Sequence, residues 1–133
     1  MIATRVINEL DRLRLSALVP LSGHPPGHVS ELVDLIESAK PLPPHQVPAD
    51  LVTMNSVVRL RDPDTGDLDL YRLVYPHNVL EEEMALSVLT PIGAAMFSKR
   101  IGETIRWRSP RRHCSAIIES LDYQPERAGD YDR

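Results

Sequence analysis

Residues 57–75, VVRLRDPDTGDLDLYRLVY, decide the fold because the chain takes up a strand pattern there. In the first five, apolar Val58 and Leu60 alternate with two arginines, a period of two that is typical of a half-buried strand. Residues 68–75 alternate in the same way. The intervening DPDTG supplies a proline with a preset φ and a glycine that tolerates positive φ. Together they predict an antiparallel hairpin.

The rest of the C-terminal part extends this sheet. Residues 85–90, ALSVLT, predict a short strand, and Pro91 stands at the first position of a predicted helix in PIGAAMFSKR. Residues 102–109 and 113–124 predict two further strands. The result is an α+β domain with a mostly antiparallel sheet of about five strands, covered by one short helix. The polar residues 125–133 are expected to fray.

The N-terminal part has a helical period instead. Residues 4–19 predict an amphipathic helix, with Asp11 among the charges off its apolar stripe of Val6, Leu10, Leu13 and Ala17. A second stripe, ending before Pro41, consists of Val29, Leu32, Val33 and Ile36. The uncharged turn between them, within LVPLSGHPPGHVSEL (residues 18–32), predicts a short antiparallel helical hairpin.

A proline-rich stretch, KPLPPHQVPADL, separates the two parts and is expected to be an extended strap. We therefore divide the chain into a helical hairpin at 1–40, a linker at 41–50, a C-terminal domain at 51–126 and a polar tail at 127–133.

Composition limits the function classes. The 133 residues are 42% apolar, enough for a real core, and their net charge of −4 with a pI near 5.7 argues against general nucleic-acid binding. Cys114 is the single cysteine, which fits a reducing compartment. Charges are frequent in the first fifteen residues, unlike a signal peptide, and no apolar run has the ~20 residues that span a bilayer. We expect a cytoplasmic protein that does not engage a membrane.

Three stretches carry a family resemblance. Residues 52–76, 86–107 and 121–131 (VTMNSVVRLRDPDTGDLDLYRLVYP, LSVLTPIGAAMFSKRIGETIRW and LDYQPERAGDY) resemble the bacterial regulator of nucleoside diphosphate kinase (Rnk) family, whose C-terminal domain is shared with the Gre transcription elongation factors. The resemblance implies an FKBP-like domain behind a miniature two-helix coiled coil. It also implies a protein that docks on RNA polymerase near its secondary channel.

The turn between the predicted helices departs from the Gre pattern. Gre factors carry a longer hairpin whose acidic tip helps to hold a catalytic magnesium ion, and Mg²⁺ needs hard oxygen ligands such as carboxylates. Between Arg14 and Glu31 this chain has no Asp or Glu. We therefore predict a non-enzymatic regulator, without cofactor or metal, that competes with Gre factors without stimulating transcript cleavage.

Other interpretations stay open from the sequence. One is Gre-like stimulation of cleavage. Another is peptidyl-prolyl isomerisation, for which one Trp, one Phe and four Tyr do not reproduce the expected aromatic cluster. A third takes the family's name literally, as an effect on nucleoside diphosphate kinase, and an effect on the expression of that kinase through transcription would also suit the name. A monomer is favoured over a homo-oligomer, although the helical stripes would also suit a dimer, and direct sequence-specific nucleic-acid binding is not expected.

The candidate partner-binding residues lie at the start of the predicted short helix. In Gre-type domains the corresponding segment is part of the surface that grips polymerase, so the resemblance assigns docking to Thr90, Pro91, Ile92, Gly93 and Ala94. Proline fixes the first turn, and glycine permits close approach of another backbone. The same residues would also suit packing of the helix on the sheet.

For several other polar residues, a functional interpretation stands beside a non-functional one. His24, His28 and Cys114 are candidate metal ligands, but prolines disrupt the helical spacing and a solvated turn is favoured, with Cys114 a buried, inert thiol. The acidic run Glu81–Glu83 is a candidate magnesium site or acidic contact patch, but a solvated loop is favoured. The basic concentration suits either an acidic partner surface or an ordinary solvated sheet face, and consists of Arg59, Arg61, Arg106, Arg108, Arg111 and Arg112.

Overall fold

The structure, a computed structural model, describes residues 5–18, 26–110 and 112–131. The predicted turn, including His24, lies largely outside this range, as does Arg111. The elements are β1 Val6–Asn8, α1 Glu9–Leu18, α2 Gly27–Ser38, β2 Lys40–Leu42, β3 Val57–Arg61, β4 Leu68–Val74, β5 Ala85–Ser87, α3 Pro91–Met96, β6 Thr104–Arg108, β7 His113–Tyr123 and α4 Pro125–Ala128, with 3-10 turns at Pro44–Gln46 and Pro76–Asn78.

The main sheet confirms the strand predictions. Its five strands lie in the order β5-β4-β3-β7-β6, and every pair is antiparallel except the parallel pair β4 and β5. The predicted hairpin pairs Val58 with Tyr71. Since directly paired residues share a sheet face, Val58 and Leu60 of β3, Tyr71 and Leu73 of β4 and Ile118 of β7 are collected on one side. The α+β architecture is thus confirmed, and β5 lies within the predicted strand, while its parallel pairing with β4 was not predicted.

The hydrophobic core unites the N-terminal helices with the sheet. Its buried members from the front part include Ile7, Leu15, Val29, Leu32 and Ile36, and those from the C-terminal part include Val58, Leu73, Met96, Phe97, Ile105 and Ile118. Short helices are marginal alone and persist through packing. The core therefore stabilises α1 and α2 where they meet the sheet. The division at residues 40, 50 and 126 stays a prediction.

The front part begins differently from its prediction. Helix α1 starts at Glu9 rather than residue 4, because β1 precedes it and pairs in parallel with β2. The proline-rich segment predicted as an extended strap thus contributes a strand and a 3-10 turn. Proline is compatible with such a two-stranded edge arrangement because its missing N–H can face away from the partner strand.

The apolar stripe predicted for the first helix was also wrong. Leu13 is 69% exposed, whereas Leu15 is fully buried and Asp11 is only 3% exposed. Asp11 and Leu15 are four residues apart, so they share one face of α1, and Ile7 of the preceding strand is buried as well. The helix therefore turns a carboxylate toward the core.

The tail does not fray at its start as predicted. Residues Pro125–Ala128 form α4, and the side chain of Gln124 is fully buried. Its Nε2 donates to the carbonyl oxygens of Leu51 at 2.7 Å and Pro48 at 2.8 Å. These bonds fix the C-terminal turn on the segment before β3. Within the described ranges, no helix combines the length and apolar character that crossing a membrane requires.

Candidate partner-binding surface

The start of α3 is fixed by the side chain of Thr90. Its Oγ1 accepts a hydrogen bond from the Gly93 N–H at 3.1 Å and donates to the Ser87 carbonyl at 2.7 Å. Pro91 takes the first helical position, where the missing N–H has no intrahelical partner to lose. The cap holds this six-residue helix at a set angle beyond β5.

Gly93 makes a close approach to this chain's own backbone. A Cβ at this position would lie 2.1 Å from the Ser87 carbonyl oxygen, far inside van der Waals contact. The predicted close approach is therefore present, and the neighbouring backbone belongs to β5. Gly93 fits α3 against that strand.

The five candidate residues divide by exposure. Thr90, Pro91 and Ile92 are half-buried, whereas Gly93 and Ala94 are buried. Side-chain contact with a partner would thus fall on the first three, and the other two position them. From α2, the Nε2 of His28 lies 2.9 Å from the Leu89 carbonyl oxygen and holds the residue before the cap.

A pocket of about 280 Å³ adjoins Ile92 on the apolar side of the sheet. Its apolar wall contains the two aromatic side chains Tyr71 and Trp107. Polar groups surround the pocket, namely Asp62, Asp64, Asp69, Arg112, His113, Cys114 and Ser115. Burial, with a smaller contribution from the nearby Asp69, raises the pKa of the Tyr71 phenol. The pocket would therefore fit an apolar side chain of a partner whose neighbouring residues are charged.

The arginines of the sheet fall into two groups. Arg59 pairs with Asp122 and Arg61 with Glu119 across the β3–β7 ladder, so these two belong to a solvated ion-pair face. Hydrogen bonding to Asp122 raises the pKa of Arg59 and lowers that of the carboxyl group. Arg106 and Arg108 are exposed on β6, and neither forms an ion pair with a described carboxylate.

The candidate metal ligands are not brought together among the described residues. His28 contacts Leu89, whereas half-buried Cys114 pairs with Trp107 across the β6–β7 ladder. In the acidic run, Glu82 lies 3.7 Å from Arg72. In the described parts of the chain, no group of three or more His, Cys, Asp or Glu side chains is placed to hold a metal ion.

Two buried carboxylates join the front part to the C-terminal part, and the sequence analysis missed both. Asp11 accepts hydrogen bonds from the Met54 N–H at 3.1 Å and the Tyr75 hydroxyl at 3.3 Å. Glu126, 7% exposed, accepts from Asn8 at 2.6 Å and Thr53 at 2.7 Å.

The surroundings of Asp11 change its pKa and that of Tyr75. Burial raises the pKa of Asp11 to about 7, and the charge of Glu126 adds to this effect. The hydrogen bonds from Met54 and Tyr75 and the charge of Arg14 oppose it. Burial and the charge of Asp11 also raise the pKa of Tyr75. The sequence signal was the i, i+4 row of Ile7, Asp11 and Leu15, which places an acid between two apolar residues.

Comparison with known proteins agrees with this architecture. Residues 47–123 match the family model described as the C-terminal part of the transcription elongation factors GreA and GreB. The "Regulator of nucleoside diphosphate kinase" of Escherichia coli strain K12 is 34% identical over 130 residues, covering 96% of each chain.

Two elongation factors complete the comparison. A solved structure described as a prokaryotic transcription elongation factor GreA/GreB from Nitrosomonas europaea superposes with a TM-score of 0.77 at 28% identity, over 92% of this chain and all of that one. The elongation factor GreA of Dehalococcoides mccartyi is 36% identical over 72 residues, which are 54% of this chain and 46% of that protein. The likeness to GreA is therefore concentrated in part of both chains.

Proposed function

This chain belongs to the regulator of nucleoside diphosphate kinase family and carries a GreA/GreB C-terminal domain, and from that premise we propose that it regulates transcription by binding RNA polymerase near the secondary channel. In this proposal it is a cytoplasmic monomer that makes and breaks no bond. Its C-terminal part is an FKBP-like docking domain, and α1 and α2 are a miniature coiled coil. The relatives' elongation-factor names and the shared fold support a role in transcription elongation.

Docking is assigned to the start of α3. Thr90, Pro91 and Ile92 present partly exposed side chains from a backbone held by the Thr90 cap and the Gly93–Ser87 approach. A surface that is rigid before binding loses little conformational entropy on association. Ile92 also borders the 280 Å³ pocket, which offers space for an apolar side chain of the polymerase.

The acid-free segment carries the prediction about cleavage. No Asp or Glu lies between Arg14 and Glu31, so this segment has no carboxylate to offer a magnesium ion. The helices beside it are short, at 10 and 12 residues, or roughly 15 and 18 Å at 1.5 Å per residue. The protein would then occupy the Gre binding place without supporting hydrolysis of the transcript.

The test is a titration of halted, backtracked elongation complexes, with binding and transcript cleavage followed together. We expect binding that displaces a Gre factor and adds no cleavage. Stimulated cleavage would overturn the occupancy mechanism, and absence of binding would overturn polymerase docking.

A pair of variants tests the docking residues. Ile92→Glu should weaken polymerase binding at least about tenfold, since a charge would be buried in the interface. The matched control is Leu80→Glu, because Leu80 is fully exposed in the loop before β5. Equal binding by both variants would remove Ile92 from the interface, provided that both show the thermal unfolding of the parent chain.

A further inference from the structure

Strand β6 forms one edge of the main sheet. The Ser109 N–H donates to the Arg112 carbonyl at 2.9 Å, and the Ile118 N–H donates to the Glu103 carbonyl at 2.9 Å. In an antiparallel pair, hydrogen-bonded residues alternate with residues whose backbone groups point away from the partner. The alternation between these two bonds therefore directs the backbone N–H and C=O groups of Thr104, Arg106 and Arg108 outward. No other described element provides a backbone hydrogen bond to these three residues.

A groove follows this outer edge. Two cavities, of about 870 and 210 Å³, share Glu31, Ala94, Ala95 and Arg106 in their walls and together follow the strand from Thr104 to its end. Helix α2 forms the facing wall. The small side chains of Ala94 and Ala95 lie between that helix and β6. Five residues of extended chain measure about 17 Å, so the edge can pair with a short strand of matching length.

The charge of the groove favours an acidic occupant. Arg106 and Arg108 project from β6, and Lys99 lines the smaller cavity, against the single carboxylate of Glu31. Elsewhere in the described chain, five arginines already lie within ion-pair distance of carboxylates, namely Arg5, Arg59, Arg61, Arg72 and Arg100. A second copy of this chain is disfavoured at this edge, because two β6 strands would bring their arginines together.

We propose that the outer edge of β6 binds an extended acidic segment of a partner protein as a sixth strand of the sheet. The segment's backbone pairs with the outward N–H and C=O groups of Thr104, Arg106 and Arg108, as in β-strand addition to other sheet edges. Its carboxylates pair with the two arginines. This inference rests on the sheet edge and its charge, and it holds whether or not the partner is RNA polymerase.

The test measures amide hydrogen exchange by NMR on the whole chain, with a short synthetic peptide of alternating glutamate and valine in excess. We expect exchange at Thr104, Arg106 and Arg108 to slow at least about tenfold. The amides of Ile105 and Trp107, which face β7, should keep their rates. Protection at β5, the opposite edge of the sheet, instead, or no protection anywhere, would overturn the proposal.

Two altered peptides separate backbone pairing from charge. N-methylation of every second amide, on the edge that faces β6, removes hydrogen-bond donors and keeps the glutamates. Unchanged binding of that peptide would contradict strand addition. A lysine–valine peptide should bind at least about tenfold more weakly, and equal binding would contradict the acidic partner.

Two charge reversals complete the design. Arg106→Glu should weaken peptide binding about tenfold, whereas Lys40→Glu, an equal charge change on exposed β2, should alter it less than about twofold. Equal losses of peptide affinity in the two variants would show that binding depends only on the net charge of the protein, which would contradict a site at the β6 edge. Concentration-dependent protection of the β6 amides without peptide would assign the edge to a second copy and overturn the acidic segment.

Discussion

The sheet and the N-terminal front part are held in place by different kinds of buried contact. In the sheet, buried apolar residues of β3, β4 and β7 pack in one core with residues of α2 and α3, and the close fit at Gly93 sets α3 against β5. The front part shares that core, but its position also depends on buried polar groups, chiefly Asp11 and Glu126. Apolar packing follows local sequence periodicity, whereas a buried carboxylate depends on partners elsewhere in the chain. The two regions should therefore respond differently to mutation and pH.

Gly93→Ala is expected to have the largest effect. The added methyl group would lie 2.1 Å from the Ser87 carbonyl oxygen, so α3 would have to move away from β5. We expect the free energy of unfolding to fall by about 3 kcal/mol, measured by urea denaturation. Polymerase binding should fall as well, because the candidate docking residues move with the helix.

Gly27→Ala is the matched control in the front part. A Cβ at Gly27, the first residue of α2, meets nothing within 4 Å. Alanine favours a helix over glycine, so this variant should be unchanged or more stable by up to about 1 kcal/mol. Equal destabilisation of the two variants would show that the Ser87 contact does not fix α3.

The difference between the regions also explains what the sequence could predict. The β3–β4 hairpin was predictable because alternation and turn chemistry act within nineteen residues, 57–75. The environment of Asp11 was not, since its partner Met54 lies 43 residues away, and the partners Asn8 and Glu126 are separated by 118. The helical period is read from apolar residues only. It therefore cannot indicate that an acidic residue is buried against hydrogen-bond donors that are distant in the sequence.

The candidate site was predictable in part for the same reason. Proline and threonine at the start of α3 indicated a capped helix, and the cap is present. The sequence predicted that Gly93 permits close approach of another backbone. It did not predict that this backbone is β5, because the placement of a strand depends on tertiary structure. Whether Thr90, Pro91 and Ile92 meet polymerase stays a proposal that the titration tests.

Asp11→Asn tests the buried carboxylate that joins the front part to the C-terminal part, through the pH dependence of stability. The folded-state pKa of Asp11 is about 7, above its ordinary value of 3.8. Proton binding therefore stabilises the folded state fully below pH 4, and this stabilisation is lost as the pH rises from about 4 to about 7. Above that range the folded chain retains a buried charge, at a cost on the order of 2–4 kcal/mol.

Asparagine keeps an acceptor for Met54 and removes this charge, so we expect the variant to be more stable than the parent at pH 8 by about 1–3 kcal/mol. At pH 5 the advantage should shrink or reverse. The control is Asp34→Asn on the exposed side of α2, which should change stability by less than about 0.5 kcal/mol at either pH. An Asp11 variant whose stability difference does not vary with pH would show that this carboxylate does not titrate between the two regions.

The smallest expected effect concerns a partly exposed ion pair between the regions. Arg5 donates to both carboxylate oxygens of Glu103, at 2.7 and 2.6 Å, which links the residue before β1 to the residue before β6. Hydrogen bonding to Glu103 raises the pKa of Arg5, and the same bond lowers that of Glu103. Solvent screens a pair that is about one-third exposed, so a double-mutant cycle with Arg5→Met and Glu103→Gln should give a coupling of only about 0.5–1 kcal/mol.

The same cycle at Arg61 and Glu119, a pair of similar exposure within the sheet, provides the comparison. That pair is joined by a single hydrogen bond from Arg61 Nε, so its coupling should be smaller, at about 0.2–0.5 kcal/mol. Both couplings should decline in high salt. If the pair within the sheet couples as strongly as the pair between the regions, bidentate geometry does not strengthen the contact between the front part and the sheet. The Arg5–Glu103 pair would then contribute no more to the position of the front part than an ordinary surface ion pair contributes elsewhere.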